Sequence, residues 1–151
     1  KYFNVFGPGE AHKGRMASVL WHFLNQLKNG EDLKLFGPSH GCGAGEQKRD
    51  FIYVKDVVDA TLYFYENRID SGLYNIGTGE CHTFNELAMA LFLALDKEPN
   101  ITYFEMPKKL HDSYQYFTQA EIGKLQKNGF TQGFTSLEEG VNTYINFLND
   151  K

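Results

Sequence analysis

The sequence lacks the short motifs by which nucleotide-binding enzymes are most readily recognised. Its 151 residues contain no P-loop pattern, and no GxGxxG fingerprint follows a strand and opens a helix. Gly77-Thr78-Gly79 comes after an apolar run, but the third glycine position of that fingerprint is occupied by His82, so we interpret the segment as a tight turn. No tyrosine is followed by a lysine four residues later. Taken by itself, the chain contains no complete catalytic unit.

Basic runs and long apolar runs are also missing. The net charge is -4 at pH 7 and no cluster of Lys or Arg appears, which argues against a nucleic-acid partner. No apolar stretch is long enough to cross a membrane, and the N-terminus has no signal-peptide pattern. We therefore expect a cytoplasmic protein without a membrane partner.

Cysteine and paired histidines are scarce. The two cysteines, Cys42 and Cys81, lack the spacing of a metal site or of a disulfide framework, and two free thiols are favoured over one disulfide. The five histidines never occur three or four residues apart, so a metal site on one helix face is not predicted. We expect no metal.

Helical and extended patterns alternate along the chain, which is typical of an α/β fold. Segments 2–5, 33–36, 51–54, 73–76 and 101–104 are predicted as strands. Four groups of apolar residues have helical spacing: Met16, Val19, Leu20, Phe23, Leu24 and Leu27; Val54, Val57, Val58, Thr61, Leu62 and Tyr65; Leu87, Ala88, Leu91 and Leu95; and Leu137, Val141, Tyr144, Ile145 and Leu148.

Capping-box spacing, a Ser or Thr followed by Glu three residues later, marks three helix starts. The pairs are Thr83 and Glu86, Thr118 and Glu121, and Ser136 and Glu139. Neither a linker nor an internal repeat divides the 151 residues, so the sequence predicts one folded unit.

The segment NVFGPGEAHKGRMASVL, residues 4–20, joins a short apolar strand to a helix through a glycine-rich loop. The ends of strands in open α/β sheets are where ligands collect. Three short polar and aromatic motifs follow later, in KRDFIYVKDVVDA, LYNIGTGECHTFNELA and DSYQYFTQAEIGKLQKNGF.

These segments together resemble the C-terminal half of the ADP-L-glycero-D-manno-heptose 6-epimerase family, which are extended short-chain dehydrogenases/reductases. The R-D-F-x-Y-V and Y-N-I-G-T-G elements occur throughout the extended reductases, whereas H-K-G-x-M-A-S and Y-Q-x-F-T-Q point to the heptose epimerases. The resemblance covers nearly all of the chain. It implies an α/β fold that holds the end of a Rossmann sheet and a smaller substrate-binding domain.

In the resembled family, a dinucleotide-binding half with a glycine fingerprint and a Tyr-x-x-x-Lys helix comes first. The resemblance therefore implies that residues 1–151 are the substrate-binding C-terminal portion and that the dinucleotide-binding half is absent from them. It also implies NADP as cofactor, with NAD as the alternative, and a homo-oligomer, a pentamer in some members, for the full-length protein.

The implied reaction inverts C6 of the heptose in ADP-D-glycero-D-manno-heptose and supplies lipopolysaccharide inner-core heptose. Because the C–H bond is not acidic, the family oxidises the carbon transiently and reduces it again from the other face. Two alternatives remain open: another sugar-nucleotide epimerase or dehydratase of the same superfamily, and a non-catalytic sugar-nucleotide binding module. The chain alone is expected to be inactive.

By this resemblance Lys13 is the acid/base group of one sugar face and also contacts the cofactor. A partly desolvated lysine can have its pKa lowered enough to exchange protons; the alternative is a solvated loop lysine. Val5 is implied to line the nicotinamide pocket, and Asn4 to contact substrate or else to tie down the loop. Gly9 stands where the family often has Arg.

Further substrate contacts are implied for Arg15 and His22 in the first loop and helix, whereas Trp21 is expected to pack. Arg15 occupies a position usually held by serine, and the alternative is that it points to water.

The run Phe36, Gly37, Pro38 and Ser39 aligns with a substrate-contacting segment that leads to Arg49. A guanidinium can bind a pyrophosphate through two parallel charge-assisted hydrogen bonds. The alternative for Arg49 is a salt bridge with Asp50.

Tyr114 matches a tyrosine that contacts substrate in the family. Asp112, Gln115 and Gln119 are expected to form a polar strip that reaches sugar hydroxyls, and Tyr116 and Phe117 to lie in the core.

Overall fold

A computed structural model describes residues 1–150 and has the mixed α/β architecture that the sequence predicts. The described part contains five α-helices and seven short strands. From the N-terminus, the first elements are β1 (Asn4–Phe6), a 3₁₀ turn (Ala11–Met16), α1 (Val19–Lys28), β2 (Leu33–Phe36), β3 (Lys48–Arg49), β4 (Phe51–Tyr53) and α2 (Val54–Glu66).

The second half of the chain is richer in loops. Its elements are β5 (His82–Thr83), α3 (Phe84–Ala94), β6 (Ile101–Phe104), a second 3₁₀ turn (Lys108–Leu110), β7 (Phe117–Thr118), α4 (Gly123–Lys127) and α5 (Leu137–Asn149).

Parallel pairing dominates the three small sheets. β1 pairs with β4, with Asn4 opposite Phe51, and β2 pairs with β6, with Leu33 opposite Ile101. In the third sheet β3 is central: it is antiparallel to β5 and parallel to β7. Arg49, on β3, therefore has a strand on each side.

Strand β4 divides the hydrophobic interior into two clusters because successive side chains of a strand point to opposite faces. Phe51 and Tyr53 pack into the larger cluster with α1, β2, α3 and α5. Ile52, between them, packs into the smaller cluster with residues of α2, of segment 74–76 and of α4. All three side chains are buried, so β4 is the common wall of both clusters.

The three expected capping boxes have different outcomes. At α3 the box is complete: the Thr83 hydroxyl accepts from the Glu86 N–H at 3.0 Å, and the Glu86 carboxylate accepts from the Thr83 N–H. At α5 the Ser136 hydroxyl accepts from the Glu139 N–H at 3.2 Å.

The prediction of a helix start at Thr118 is wrong. Thr118 lies in β7, and the next helix, α4, begins only at Gly123. The Glu121 carboxylate accepts from the Gly123 N–H at 2.8 Å instead of reaching back to Thr118. The backbone of Thr118 is paired with Arg49 of β3, so it does not form the first turn of a helix.

Segment 73–76 does not form the buried strand that was expected. Its only bridge joins Ile76 to Tyr2, and Leu73 is exposed. Tyr74 and Ile76 are buried in the smaller cluster, so the apolar run serves packing with little ladder pairing.

In two of the predicted helical stripes, some of the apolar residues are exposed instead of buried. Met16 precedes α1, in the 3₁₀ turn, and is exposed because Ser18 caps the helix after it. On α2, Val58, Leu62 and Tyr65 are exposed. The buried side of that helix is instead marked by Asp56, Val57 and Ala60.

Phe117, expected in the core, is also exposed, while Tyr116 is half-buried and Trp21 packs against the larger cluster as expected. Both cysteines are free thiols and are half-buried. Within residues 1–150, no helix is long and apolar enough to cross a membrane.

Candidate functional site

The buried carboxylate of Asp50 holds together three segments that surround the site. Asp50 is fully buried and accepts hydrogen bonds from the Thr78 N–H and hydroxyl, both at 2.8 Å, and from the Gly79 and Ala120 N–H groups, both at 3.0 Å. Four donors satisfy a carboxylate that has no cationic partner among residues 1–150. The alternative of an Arg49–Asp50 salt bridge is therefore wrong.

The absence of a side chain at Gly77 allows the segments around Asp50 and Ala120 to pack closely against it. A Cβ at residue 77 would lie 2.7 Å from an Asp50 carboxylate oxygen and 2.5 Å from the Ala120 Cβ. The Gly77-Thr78-Gly79 segment is the tight turn that the sequence predicts, and it is built around the Asp50 carboxylate.

Arg49, one residue before this junction, lies between two aromatic rings. Its guanidinium carbon is 5.0 Å from the centroid of the Tyr114 ring and 5.6 Å from that of the Phe84 ring. Both distances are in the range of cation–π attraction. Nη1 donates to the Lys48 carbonyl at 2.8 Å, so the side chain is held in one place before any ligand arrives.

The Arg49 guanidinium is buried without a carboxylate. Only 9% of the residue is exposed, and it makes no salt bridge within residues 1–150. Burial lowers the pKa of Arg49, and its interaction with Tyr114 opposes that change. Burial likewise raises the pKa of Tyr114, against the effect of the Arg49 charge. A buried cation that lacks an anion is a strong anion-binding group.

Arg49 lines a cavity of about 300 Å³ at the end of β1. Asn4 and Val5 from β1, and Lys13 from the 3₁₀ turn, line the same cavity, so four of the expected site residues come together here. The Asn4 side chain donates to the Asp50 carbonyl at 3.0 Å and so also ties down β1.

Lys13 is exposed, which differs from the partly desolvated lysine that was expected. It lies in a turn in which no residue from Ala11 to Met16 is buried. Gly14 permits the turn, with φ 54° and ψ -123°, a conformation that L side chains rarely adopt. Lys13 therefore lines the cavity as an exposed residue.

A second cavity of about 200 Å³ lies beside the first. His22, Phe36 and Tyr114 line it, and Val19 and Phe84 line both cavities. The Phe36 ring is 5.0 Å from the Phe104 ring and 5.5 Å from the Tyr114 ring, centroid to centroid. The second cavity thus has aromatic walls suited to a flat ring.

The run after Phe36 lies beside the second cavity without lining it. The Gly37 N–H donates to the Phe104 carbonyl at 2.8 Å and extends the β2–β6 ladder, and Pro38 is exposed. The Ser39 hydroxyl is 3.2 Å from the Tyr116 hydroxyl.

Arg15 is exposed and lines neither cavity. Asp112, Gln115 and Gln119 are exposed too, and the Gln119 side chain donates to the Gly79 carbonyl, so they do not form a strip along the cavities.

Several side chains that line the two cavities were not predicted as site residues, among them Phe84, Phe104 and Gln47. Phe84 follows the Thr83 cap directly, and the capping box was the available signal for its position. Gln47 is fully buried and lines the second cavity.

Among residues 1–150, no group of three or more His, Cys, Asp or Glu side chains is placed to hold a metal ion. The arrangement instead offers a buried cation, a neighbouring aromatic cavity and an exposed amine. It can bind an anionic ligand that carries a flat ring, and it can present an amine to a group held in the first cavity.

Comparison with known proteins agrees with this chemistry. Residues 1–77 match the family described as "NAD dependent epimerase/dehydratase family". The chain is 49% identical over 156 aligned residues to the ADP-L-glycero-D-manno-heptose-6-epimerase of Fusobacterium nucleatum subsp. nucleatum, and this match covers 98% of the chain and 47% of the relative.

Two solved structures share the fold over the whole chain. The Helicobacter pylori ADP-L-glycero-D-manno-heptose-6-epimerase is 28% identical with a TM-score of 0.81, covering 100% of this chain and 43% of that one. The UDP-glucose 4-epimerase of Thermus thermophilus, in complex with NAD, is 27% identical with a TM-score of 0.79, covering 99% and 45%. The chain spans about half the length of these relatives, and it belongs to the NAD dependent epimerase/dehydratase family.

Proposed function

We propose that this chain is the sugar-nucleotide-binding part of an enzyme that converts ADP-D-glycero-D-manno-heptose to its L-glycero epimer at C6. The observation that carries the proposal is the buried guanidinium of Arg49, which lines a cavity and has no carboxylate partner within residues 1–150. The name of the 49% identical relative supports this choice of sugar nucleotide.

Arg49 is the residue that binds the diphosphate. Every fully buried side-chain nitrogen or oxygen in the described chain has a hydrogen-bond partner, so the Arg49 nitrogens that lack one retain some exposure, and Arg49 lines the first cavity. A guanidinium can donate two parallel hydrogen bonds to phosphate oxygens. The base then lies towards the second cavity, against Phe36 and Tyr114, with His22 at its wall.

Lys13 is the acid/base group for one face of the sugar, and Asn4 binds the sugar beside it. Both line the first cavity with Arg49, which supports a role for all three in binding one ligand. Bound sugar nucleotide would cover the exposed amine and desolvate it. Gly37, Pro38 and Ser39 contact the substrate through the edge of their run, and Arg15 contributes charge from the same turn as Lys13.

The first cavity also fits a nicotinamide ring. Val5, Val19 and Leu20 give it an apolar wall, while Asn4 and Lys13 supply polar groups. The family, and a neighbour in complex with NAD, support a nicotinamide cofactor, and we propose NADP as the preferred form, with NAD as the alternative. When bound, the cofactor supplies reversible hydride transfer.

The proposed enzyme supplies heptose for the inner core of lipopolysaccharide, acts in the cytoplasm and works as a homo-oligomer, for which a pentamer is one candidate. Residues 1–151 are proposed as its substrate-binding portion, without activity in isolation.

The test is conversion of ADP-D-glycero-D-manno-heptose by the polypeptide that joins this chain to a dinucleotide-binding half. We expect the L-glycero epimer to form, and to form faster with NADP than with NAD. Chromatography and NMR of the heptose measure its formation. No conversion, with either cofactor, would refute the proposal.

The same assay separates the alternatives. Epimerisation of UDP-sugars without action on the ADP-heptose would indicate another sugar-nucleotide epimerase of the superfamily. Tight binding of a sugar nucleotide without turnover would indicate a binding module. Neither alternative is specifically favoured by the cavities.

A further inference from the structure

Glu10 is a buried carboxylate for which the proposed function has no use. Only 3% of the residue is exposed, and it forms no salt bridge within residues 1–150. A buried carboxylate is costly unless hydrogen-bond donors surround it. Its position, immediately before the turn that carries Lys13, makes its partners informative.

Those partners lie on both sides of the turn. The Glu10 carboxylate accepts from the Ser18 N–H and, at 2.8 Å, from the Ser18 hydroxyl; the Gly7 N–H approaches it at 3.4 Å. Ser18 in turn caps α1, because its hydroxyl accepts from the Trp21 N–H at 3.2 Å. One side chain therefore connects the end of β1 to the start of α1 across the base of the turn.

The carboxylate also lies beside the core. Tyr144, on α5 in the larger cluster, is close to Glu10 and is 1% exposed. Burial, together with the nearby Glu10 charge, raises the pKa of Tyr144 well above its usual range. The partial positive charge at the N-terminus of α1 also stabilises the negative charge of Glu10.

The turn itself has little else to fix it. None of its residues from Ala11 to Met16 is buried. Its backbone hydrogen bonds are local, from the Lys13 N–H to the Glu10 carbonyl at 2.9 Å and from the Ala17 N–H to the Gly14 carbonyl at 3.1 Å. The place of the Lys13 amine relative to the cavity is therefore set at the base of the turn.

We propose that Glu10 is a positioning residue for Lys13: its carboxylate closes the base of the turn and so fixes the amine at the first cavity. The inference rests on the proposed function of Lys13 and goes beyond it, since Glu10 acts only through that residue. Diphosphate binding by Arg49 does not depend on Glu10.

The test is Glu10→Gln in the full polypeptide that carries both halves. Glutamine keeps the size of the side chain but places an amide donor against the donors of Ser18. We expect kcat to fall about tenfold or more, because an error of about 1 Å in the position of a reacting group costs up to roughly a hundredfold. The KM for the ADP-heptose should stay within about twofold, because the contacts that bind the substrate and the transition state equally well are unchanged.

Glu86→Gln is the matched control. Glu86 also accepts a backbone N–H at the start of a helix, but it lines neither of the two site cavities. The control variant should keep the kcat of the parent. An unchanged kcat in Glu10→Gln, or a loss confined to KM, would overturn the positioning role.

A double-substitution cycle distinguishes positioning from general damage. In a Lys13→Ala background, Glu10→Gln should cost no further activity, because residues that act as one unit are not additive. An equal fall in both backgrounds would contradict the proposal. If Glu10→Gln does not fold, Ser18→Ala removes one donor to the same carboxylate, and it should give a smaller fall in kcat that also vanishes in the Lys13→Ala background.

A readout without turnover separates this inference from the proposed function. Bound ADP-heptose should protect the Lys13 amine from acylation, measured by peptide mass spectrometry, in the parent and in Glu86→Gln but not in Glu10→Gln. Equal protection in all three proteins would overturn the role of Glu10 even if the enzyme converts the heptose. Absence of conversion with protection lost only in Glu10→Gln would refute the epimerase and leave the positioning role standing.

Discussion

The two cationic residues of the site are supported in opposite ways. Arg49 lies on the central strand of a three-stranded sheet, is buried between two rings and precedes a carboxylate that accepts four hydrogen bonds. Lys13 lies in an exposed turn, and the buried Glu10 carboxylate at the base of this turn accepts hydrogen bonds from Ser18.

The difference shows how one small fold can separate binding from chemistry. Arg49, the residue proposed to bind the diphosphate, is fixed by the same contacts that stabilise the core, so folding alone sets its geometry. The amine is carried by a segment with few stabilising contacts, and such segments are the usual location of groups that meet ligands. Substitutions at the buried Asp50 should therefore affect stability, at Arg49 affinity, and at Lys13 turnover.

The largest effect is expected on the buried side, from Asp50→Ala. Removing the carboxylate leaves three backbone N–H groups without their acceptor, which should lower the free energy of unfolding by about 3 kcal/mol or more. Urea unfolding measures the change. Asp59→Ala, which removes only an exposed ion pair with Lys55, should cost about 1 kcal/mol or less. Equal losses in the two variants would refute the central role of Asp50.

On the exposed side, Lys13→Ala should slow turnover and leave stability unchanged. Loss of a general acid or base costs about a hundredfold in kcat, or about 2.7 kcal/mol, while the melting temperature should match the parent. Steady-state kinetics and calorimetry of the full polypeptide check both values. Lys108→Ala, an exposed lysine in the second 3₁₀ turn, is the control and should change neither. If only the affinity for substrate moved, Lys13 would be a binding residue.

For Arg49 the expected loss is in affinity. Arg49→Ala removes charge-assisted hydrogen bonds to the diphosphate and should weaken ADP-sugar binding by about 1.5–3 kcal/mol, measured by titration calorimetry. Arg68→Ala, an exposed arginine outside both cavities, should bind as the parent does. Unchanged affinity in Arg49→Ala would remove it from the diphosphate site.

Much of the fold could be predicted from the sequence because most of its elements carry local signals. The Thr83 cap, the apolar stripe after Ser18 and the strand that follows Arg49 all lie where their patterns predict them. The Thr118 pattern failed because a non-local strand pairing competes for the same backbone, and sequence spacing carries no record of that pairing.

The candidate site was only partly predictable for a related reason. Asn4, Lys13 and Arg49 were named from a resemblance, and the structure brings all three to one cavity. Phe84 and the proposed role of Glu10 were missed, since they depend on contacts with residues distant in sequence or across a turn. The exposure of Lys13 could not be read from its glycine neighbours, which indicate a turn but not its distance from the core.

A smaller effect is expected from pH at the α3 capping box. The hydrogen bond from the Thr83 N–H is the main reason that the pKa of Glu86 lies below its ordinary value of 4.5. A depressed folded-state pKa gives stability that is present above pH 4.5 and is lost as the pH falls through the folded value. Glu86→Gln should therefore be slightly less stable than the parent near neutral pH and equal to it in acid, as urea unfolding would show. A difference that grew in acid would contradict this sign.

The smallest effect is expected from Met16→Ser, which tests where the exposed turn ends and the core begins. The helical stripe in the sequence puts Met16 with Leu20, yet 84% of Met16 is exposed and 1% of Leu20. Exposed substitutions usually change stability by no more than about 0.5 kcal/mol, whereas truncating a buried leucine to alanine costs about 2–5 kcal/mol. Urea unfolding of Met16→Ser beside Leu20→Ala compares them directly. If Met16→Ser lowered the free energy of unfolding as much as Leu20→Ala does, the turn would pack on the core. Lys13 would then be held by core contacts, as Arg49 is.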